Sequence, residues 1–237
     1  MPIIVNDKNE IILFSHIPKN GGTSVENALK NNYEMTLYNH DSSYFINGVS
    51  PQHIEYRVLS KIIPTKMIEK SFAVVRNPVN RIVSEYKYTV ERNRRIKLLF
   101  DINEFVSFSI KKSQGNRKFQ DNHIRPQVDF VFDGMSIYKL ETDMGSLSND
   151  LKSKFDFYFA SEIPHSNKST HKVDEELSDA SLKVISEYYK EDFERFGYQV
   201  PSFDEVNCFS GLLFRGRVKI KTVIYDFLSF FLSHWGR

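Results

Sequence analysis

The segment His16-Ile17-Pro18-Lys19-Asn20-Gly21-Gly22-Thr23-Ser24 concentrates residue types that suit an anion. Gly21 and Gly22 let the main chain approach a ligand without Cβ clashes, Thr23 and Ser24 offer hydroxyl donors, and Lys19 adds a positive point charge. The apolar run Ile11 to Phe14 precedes it, and Val25, Ala28 and Leu29 follow at helical spacing. The pattern predicts a strand, a glycine turn and a helix over Val25 to Asn31, with backbone N–H groups and the positive end of the helix dipole aimed at one spot. A Walker loop places its lysine after the glycines and a hydroxyl next to it for magnesium; here Lys19 comes first, and no Gly-Lys-Ser/Thr occurs. On the residues alone, the competing reading is a glycine turn capped by Thr23 or Ser24, with Lys19 solvated.

A second set of donors follows another apolar run. Phe72 to Val75 reads as a strand buried on both faces and stops at Arg76-Asn77-Pro78, where Pro78 suits the first turn of a helix. That helix is predicted to reach about Arg94, with Val79, Ile82, Val83, Tyr86 and Val90 on its apolar face. Arg76 supplies a forked, permanently charged donor, and Ser84, about two turns further on, a short hydroxyl donor.

A group that takes a proton near neutral pH is most readily a histidine. The chain has 7, and residue type alone does not choose among His16, His40, His53, His123, His165, His171 and His234. His53 follows Gly48 and Pro51, which suggest a loop. A lone Cys208 excludes an internal disulfide and any cysteine-rich metal cluster.

These groups must be positioned by the surrounding elements. Further helices are predicted over Ile102 to Lys111 and from an N-cap at Ser178, the latter with Leu182, Ile185, Tyr188, Tyr189 and Phe193 as its apolar stripe. Further strands are predicted over Ser136 to Leu140 and Phe155 to Ala160. Strands alternating with helices imply an α/β fold: three layers, with a central parallel sheet and ligands at the carboxyl ends of its strands. The 237 residues show no repeat and no low-complexity linker, and 32 basic against 30 acidic side chains are too balanced for a protein that grips nucleic acid by its phosphates.

The two motifs, in this order, resemble the carbohydrate sulfotransferases that use 3'-phosphoadenosine 5'-phosphosulfate. His16 to Ser24 is similar to their 5'-phosphosulfate loop, and Val75 to Tyr86 to their 3'-phosphate element. The resemblance continues through His53, Asp121 to Gln127, Leu140-Glu141 and Asn167-Lys168-Ser169, and on to Tyr198. It implies a P-loop-like sulfotransferase domain over residues 1–200, with residues 201–237 as a carboxyl-terminal extension. It further implies donor binding by Pro18, Lys19, Asn20, Gly21, Gly22, Thr23, Ser24, Arg76 and Ser84. Lys19 becomes the catalytic acid or electrostatic stabiliser and His53 the base, while His123 and Arg125 line the acceptor site. Adenosine 3',5'-bisphosphate would be the product and no metal is needed. A variant nucleoside or sugar kinase and an inactive nucleotide- or glycan-binding module are the alternatives.

Two basic clusters, Arg92, Arg94, Arg95 and Lys97, then Lys111, Lys112, Arg117 and Lys118, are solvated helix faces or a track for an acidic glycan. In the tail, Ile220, Val223, Ile224, Phe227, Phe231 and Trp235 fall at helical spacing after Arg215, Arg217, Lys219 and Lys221. This predicts an amphipathic helix docked by that stripe on the domain or on a second subunit, with peripheral membrane contact as the alternative. The amino-terminal MPIIVNDKNEIILF lacks the features of a secretory signal, and a cytoplasmic location is expected.

Overall fold

The computed structural model describes residues 1–38, 45–163, 176–203 and 216–226. The predicted alternation produces a five-stranded sheet of order β3-β1-β2-β4-β5. Its strands are β1 (Ile3–Val5), β2 (Ile11–Ser15), β3 (Met35–Thr36), β4 (Lys70–Val75) and β5 (Ser136–Lys139). The three strands expected from their apolar runs, β2, β4 and β5, pair in parallel, with Phe14 beside Phe72 and Val75 beside Lys139. The edge differs from the expected parallel pattern: β1 is antiparallel to both β2 and β3. The connection from Val5 to Ile11 is too short for a crossover, and Asn6 closes it as a turn by accepting from the N–H groups of Lys8 and Glu10 at 3.0 and 2.8 Å.

Alternation along the central strands builds two cores. Ile12, Phe14, Phe72 and Val74 face one way and pack with Val25, Ala28 and Leu29 of α1 (Gly22–Leu29) and with Leu147 and Leu151 of α6 (Met144–Ser153). Leu13, Ala73 and Val75 face the other way, against Leu59 of α2 (Tyr56–Ile62) and Phe130. A central strand covered on both sides therefore reads as continuous apolar sequence. Beyond the sheet, α3 (Pro78–Arg92), α5 (Ile102–Gly115), α7 (Asp179–Tyr188) and α8 (Lys190–Phe196) share a further core of Ile82, Val106, Ile110, Ile185, Tyr189 and Phe193.

Three boundaries shift. The helix after Pro78 breaks at Asn93, and α4 (Arg94–Leu99) begins anew. The stripe from Leu182 to Phe193 divides between α7 and α8 at Tyr189. Phe155 to Ala160 is a turn rather than a strand. Phe155 and Phe157 flank a polar residue, which gives the sequence the alternating pattern of a strand, but Asp156 is buried as they are and has φ +56°, and the N–H of Phe157 bonds back to Leu151. His40, His165, His171, Asn167 to Ser169, Cys208 and the tail beyond residue 226 lie outside the described residues.

Phe72 is fully buried between the rings of Phe14 and Phe155, at centroid distances of 4.9 and 4.8 Å. Phe72→Ala should lower unfolding stability by about 3–5 kcal/mol, read from the midpoint of urea denaturation.

Candidate active site

Three chain segments leave the carboxyl ends of β2, β4 and β5 and meet. The first is the glycine turn. Gly21 adopts φ +78° as the N-cap of α1, and Lys19 before it has φ +67°. Helices α3, α5 and α7 begin with side-chain caps from Asn77, Asp101 and Ser178; α1 has no side-chain cap and no acidic residue in its first turn. With a glycine as N-cap, no side chain at that position accepts from the first turn, and the amino-terminal amides of α1 are suited to an anion. A Cβ on Gly22 would lie 2.5 Å from the His16 ring, and one on Gly21 would lie 2.9 Å from Leu140 at the end of β5. Gly22 is thus required by close approach and Gly21 by its backbone angle.

The second segment brings Arg76 to this turn. Its Nη1 donates to the carbonyl of Lys19 at 3.1 Å. Gln127, fully buried, holds the two segments together. Its Oε1 accepts from the Arg76 N–H at 2.9 Å and from Asn20 Nδ2 at 2.7 Å, and its Nε2 donates to the Arg76 carbonyl at 2.8 Å. Asn20 also donates to the Val74 carbonyl, so its side chain points inward and is a structural tie rather than the donor ligand expected. Arg81, 2% exposed, completes the join: Nε donates to Pro18, Nη1 to the carbonyl of Arg125 and Nη2 to that of His123.

Beside the turn stand three imidazoles. The His53 ring lies edge-on to His16 at 5.1 Å and to His123 at 4.9 Å. Each has a carboxylate on its Nδ1: Glu26 on His16, Asp121 on His53 at 2.7 Å, and Glu85 on His123 at 2.7 Å. Tyr88 stacks on His123 at 5.7 Å and carries the Lys19 ammonium 3.8 Å above its ring centroid. His16 on one side, and His123 with Tyr88 on the other, thereby connect His53 to the anion turn.

Burial pushes the His53 pKa well below the usual histidine value, against the raising effect of Asp121, while His123 and His16 lower it further. The ring is neutral near pH 7. Its Nδ1–H donates to Asp121, and its Nε2 accepts from Gln52 Nε2 at 3.0 Å. At Asp121 burial acts upward, but hydrogen bonds from His53 and from the side chain and N–H of Ser50 outweigh it and hold the carboxyl below the usual range. Burial lowers the Lys19 pKa, and nearby Arg76 lowers it further while Glu85 opposes this. The Arg76 pKa is likewise lowered, chiefly by burial.

Of the expected residues, Lys19, Gly21, Gly22, Arg76, His53 and His123 are thus joined in one contact network. Thr23 is exposed at the start of α1, Ser24 is buried, and Ser84 is half-buried on α3, one position before Glu85. Arg125 differs from expectation: Nη1 pairs with Glu55 at 3.0 Å and Nε lies 3.7 Å from Asp129, so two carboxylates already match its charge. The second basic cluster is also partly matched, with Lys112 on Asp226, Arg117 on Asp129 and Lys118 on Asn47. In the first, Arg92 donates to the Tyr88 hydroxyl at 2.5 Å.

The residues that sequence reasoning left without a role are the partners: Glu26, Gln52, Arg81, Glu85, Asp121 and Gln127. Four of them lie inside motifs already singled out, but pairing across 38 to 68 positions, as in Glu85 with His123 or Asp121 with His53, leaves no local signal. Ligand atoms of His53, Asp121 and His123 lie within 4.8 Å of one another, a set able to hold a metal ion. Two of its nitrogens are engaged by carboxylates instead.

Residues 1–199 match the family model described as the sulfotransferase family. No curated protein and no solved structure matches the chain.

Two outcomes follow from this geometry. Gly22→Ala should displace the His16 ring from the turn, lowering the midpoint of urea denaturation while leaving the far-UV circular dichroism intact. Stability should fall as pH drops below the usual histidine value. His53 binds its proton less readily when folded than when unfolded, so the stability it contributes is full above that value and is lost between it and the depressed folded value. Denaturant titrations across acidic pH should therefore show a shallower decline for His53→Gln than for the parent chain.

Proposed function

Because the chain belongs to the sulfotransferase family, we propose that it moves a sulfuryl group from 3'-phosphoadenosine 5'-phosphosulfate to a hydroxyl, the acceptor being a carbohydrate. The observation that carries this reading is the bond from Arg76 to the Lys19 carbonyl, which puts the two nucleotide-like motifs at one place. An uncapped helix start next to a left-handed glycine, with a lysine and an arginine converging on it, suits a ligand bearing a phosphosulfate and a separate phosphate. The donor supplies an activated sulfuryl group on a phosphate leaving group.

Within the turn from Pro18 to Ser24, the N–H groups of Gly21, Gly22 and Thr23 go to the phosphosulfate, since those of Asn20 and Ser24 already bond to Ile17 and Gly21, and Arg76 with Ser84 takes the 3'-phosphate. Lys19 neutralises charge on the leaving oxygen. Its ammonium sits over Tyr88 and is partly stripped of water, so its attraction for an anion is stronger than that of a solvated lysine. Sulfuryl transfer builds up less negative charge than phosphoryl transfer, and these groups suffice without a metal.

His53 accepts the proton of the attacking hydroxyl at Nε2. Gln52 Nε2 now occupies the donor position on that atom, 3.0 Å away, and marks where an acceptor O–H would point. Asp121 holds the ring in the tautomer with Nδ1 protonated and stabilises the imidazolium once formed. His123 faces the acceptor with its own tautomer set by Glu85. Arg125 acts through Glu55, whose Oε2 accepts from Asn122 while the Asn122 amide also donates to the His53 carbonyl.

Adenosine 3',5'-bisphosphate should raise the melting temperature, whereas magnesium ATP should not; the reverse result would favour a kinase. Turnover with labelled donor across a panel of glycans tests the transfer itself, and its absence despite nucleotide binding would indicate a binding module. Lys19→Ala should lower kcat by about 10²–10³-fold with a much smaller change in nucleotide affinity. The acidic limb of the pH–rate profile should lie below the usual histidine value of 6.5, since activity needs neutral His53 and is lost as pH falls through its depressed pKa.

A further inference from the structure

A ninth helix, α9 (216–226), has two faces with different surroundings. The inner face is seated on α5 and the end of α4. Val218 is 5% exposed among Ile96, Phe100, Phe105 and Phe108. Tyr225 meets the rings of Phe100 and Phe108. Lys221 Nζ donates to Glu104 at 2.5 Å, and Lys112 Nζ donates to both oxygens of Asp226 at 2.7 Å. The helix therefore docks, but not by the stripe that its spacing suggests.

The outer face turns that stripe to solvent. Ile220, Val223 and Ile224 are 65, 68 and 42% exposed. Arg217 and Lys219 are exposed beside them; Arg217 Nε lies 3.8 Å from Glu104, the carboxylate that Lys221 also uses, and the acid of this helix, Asp226, is already matched by Lys112. Burial of apolar area alone would rotate the helix so that the three aliphatics face inward. The pairing of Lys221 with Glu104 and the seating of Val218 and Tyr225 hold it the other way round. In the sequence the same spacing continues through Phe227, Phe231 and Trp235, and residues 227–237 contain no Asp or Glu. Leu98, 85% exposed on α4, belongs to the same lobe, since its neighbours Ile96 and Phe100 pack with Val218.

We propose that the outer face of α9 is a peripheral binding surface for a lipid bilayer carrying anionic headgroups. An exposed aliphatic stripe edged by Arg217, Lys219 and Lys221, of which Arg217 and Lys221 share the carboxylate of Glu104, is complementary to such an interface: the aliphatics enter the acyl boundary and the excess positive charge meets the lipid phosphates. A second copy of the chain fits less well, because an isologous contact across this stripe would bring the cations along its edge together with no acid on the outer face of α9 to match them. No helix among the described residues is long and apolar enough to cross a membrane, so the surface lies on the bilayer.

The test is co-sedimentation of the full chain with vesicles of phosphatidylcholine alone and of phosphatidylcholine mixed with phosphatidylserine. The mixed vesicles should retain the chain, less so in high salt. The triple variant I220S/V223S/I224S should lose about tenfold or more in partitioning, and Lys219→Glu should lose part of it. Both variants should keep the parent melting temperature, because the altered side chains are exposed. Failure of the parent chain to bind, equal binding to both vesicle types, or undiminished binding by the triple variant would overturn the proposal. So would a vesicle-indifferent dimer that the triple variant dissociates, which would assign the face to a second copy.

Discussion

A buried guanidinium sets the geometry of the site. Arg81 is 2% exposed, and a charge so placed is tolerated only where its donors are satisfied. Three of its five N–H donors go to the carbonyls of Pro18, His123 and Arg125, which belong to the anion turn and to the segment that carries His123. Neither segment can move away without leaving a buried charge short of a partner. Gln127 adds a neutral version of the same constraint, joining Asn20, Arg76 and Asp192 through one amide. Asp192 in turn accepts from the N–H groups of Gln127 and Val128, although burial raises its pKa. Loops at the end of a sheet acquire in this way the rigidity of the sheet.

Within that frame, the chemistry is distributed by a repeated device. Each of the three adjacent imidazoles has a carboxylate on Nδ1, drawn from a different part of the chain: Glu26 from α1, Asp121 from the loop after α5, Glu85 from α3. The carboxylates satisfy one nitrogen of each ring and fix its tautomer, while burial keeps His53 neutral. A ring kept neutral in this way does not repel the Lys19 ammonium nearby. Lys19 reaches the same region from the other side over the face of Tyr88, where the ring quadrupole holds an ammonium that has no carboxylate directly bonded to it among the contacts seen.

Two cores flank the sheet because β2 and β4 alternate apolar residues to both faces, and β1 and β3 add an antiparallel edge. The polar network lies at the carboxyl ends of the parallel strands, where His16, Arg76 and Leu140 follow directly on β2, β4 and β5. Apolar burial thus provides a rigid platform, and hydrogen bonds to its strand ends provide the site.

The sequence by itself determined what depends on neighbours along the chain: the buried strands from their apolar runs, α1 and α3 from turn chemistry and helical spacing, and the anion turn from paired glycines that local sterics demand. It could not show that Phe155 and Phe157 alternate within a turn, because a pattern of two buried rings is the same for a strand and for a loop whose middle residue is left-handed. Nor could it show that Asn20 and Arg125 are ties, that α9 docks by Val218 and Tyr225, or that Glu85 and Asp121 orient histidines far along the chain. These were decided by tertiary structure, since pairing of buried polar groups depends on which segments the fold brings within hydrogen-bond reach and not on their separation in sequence.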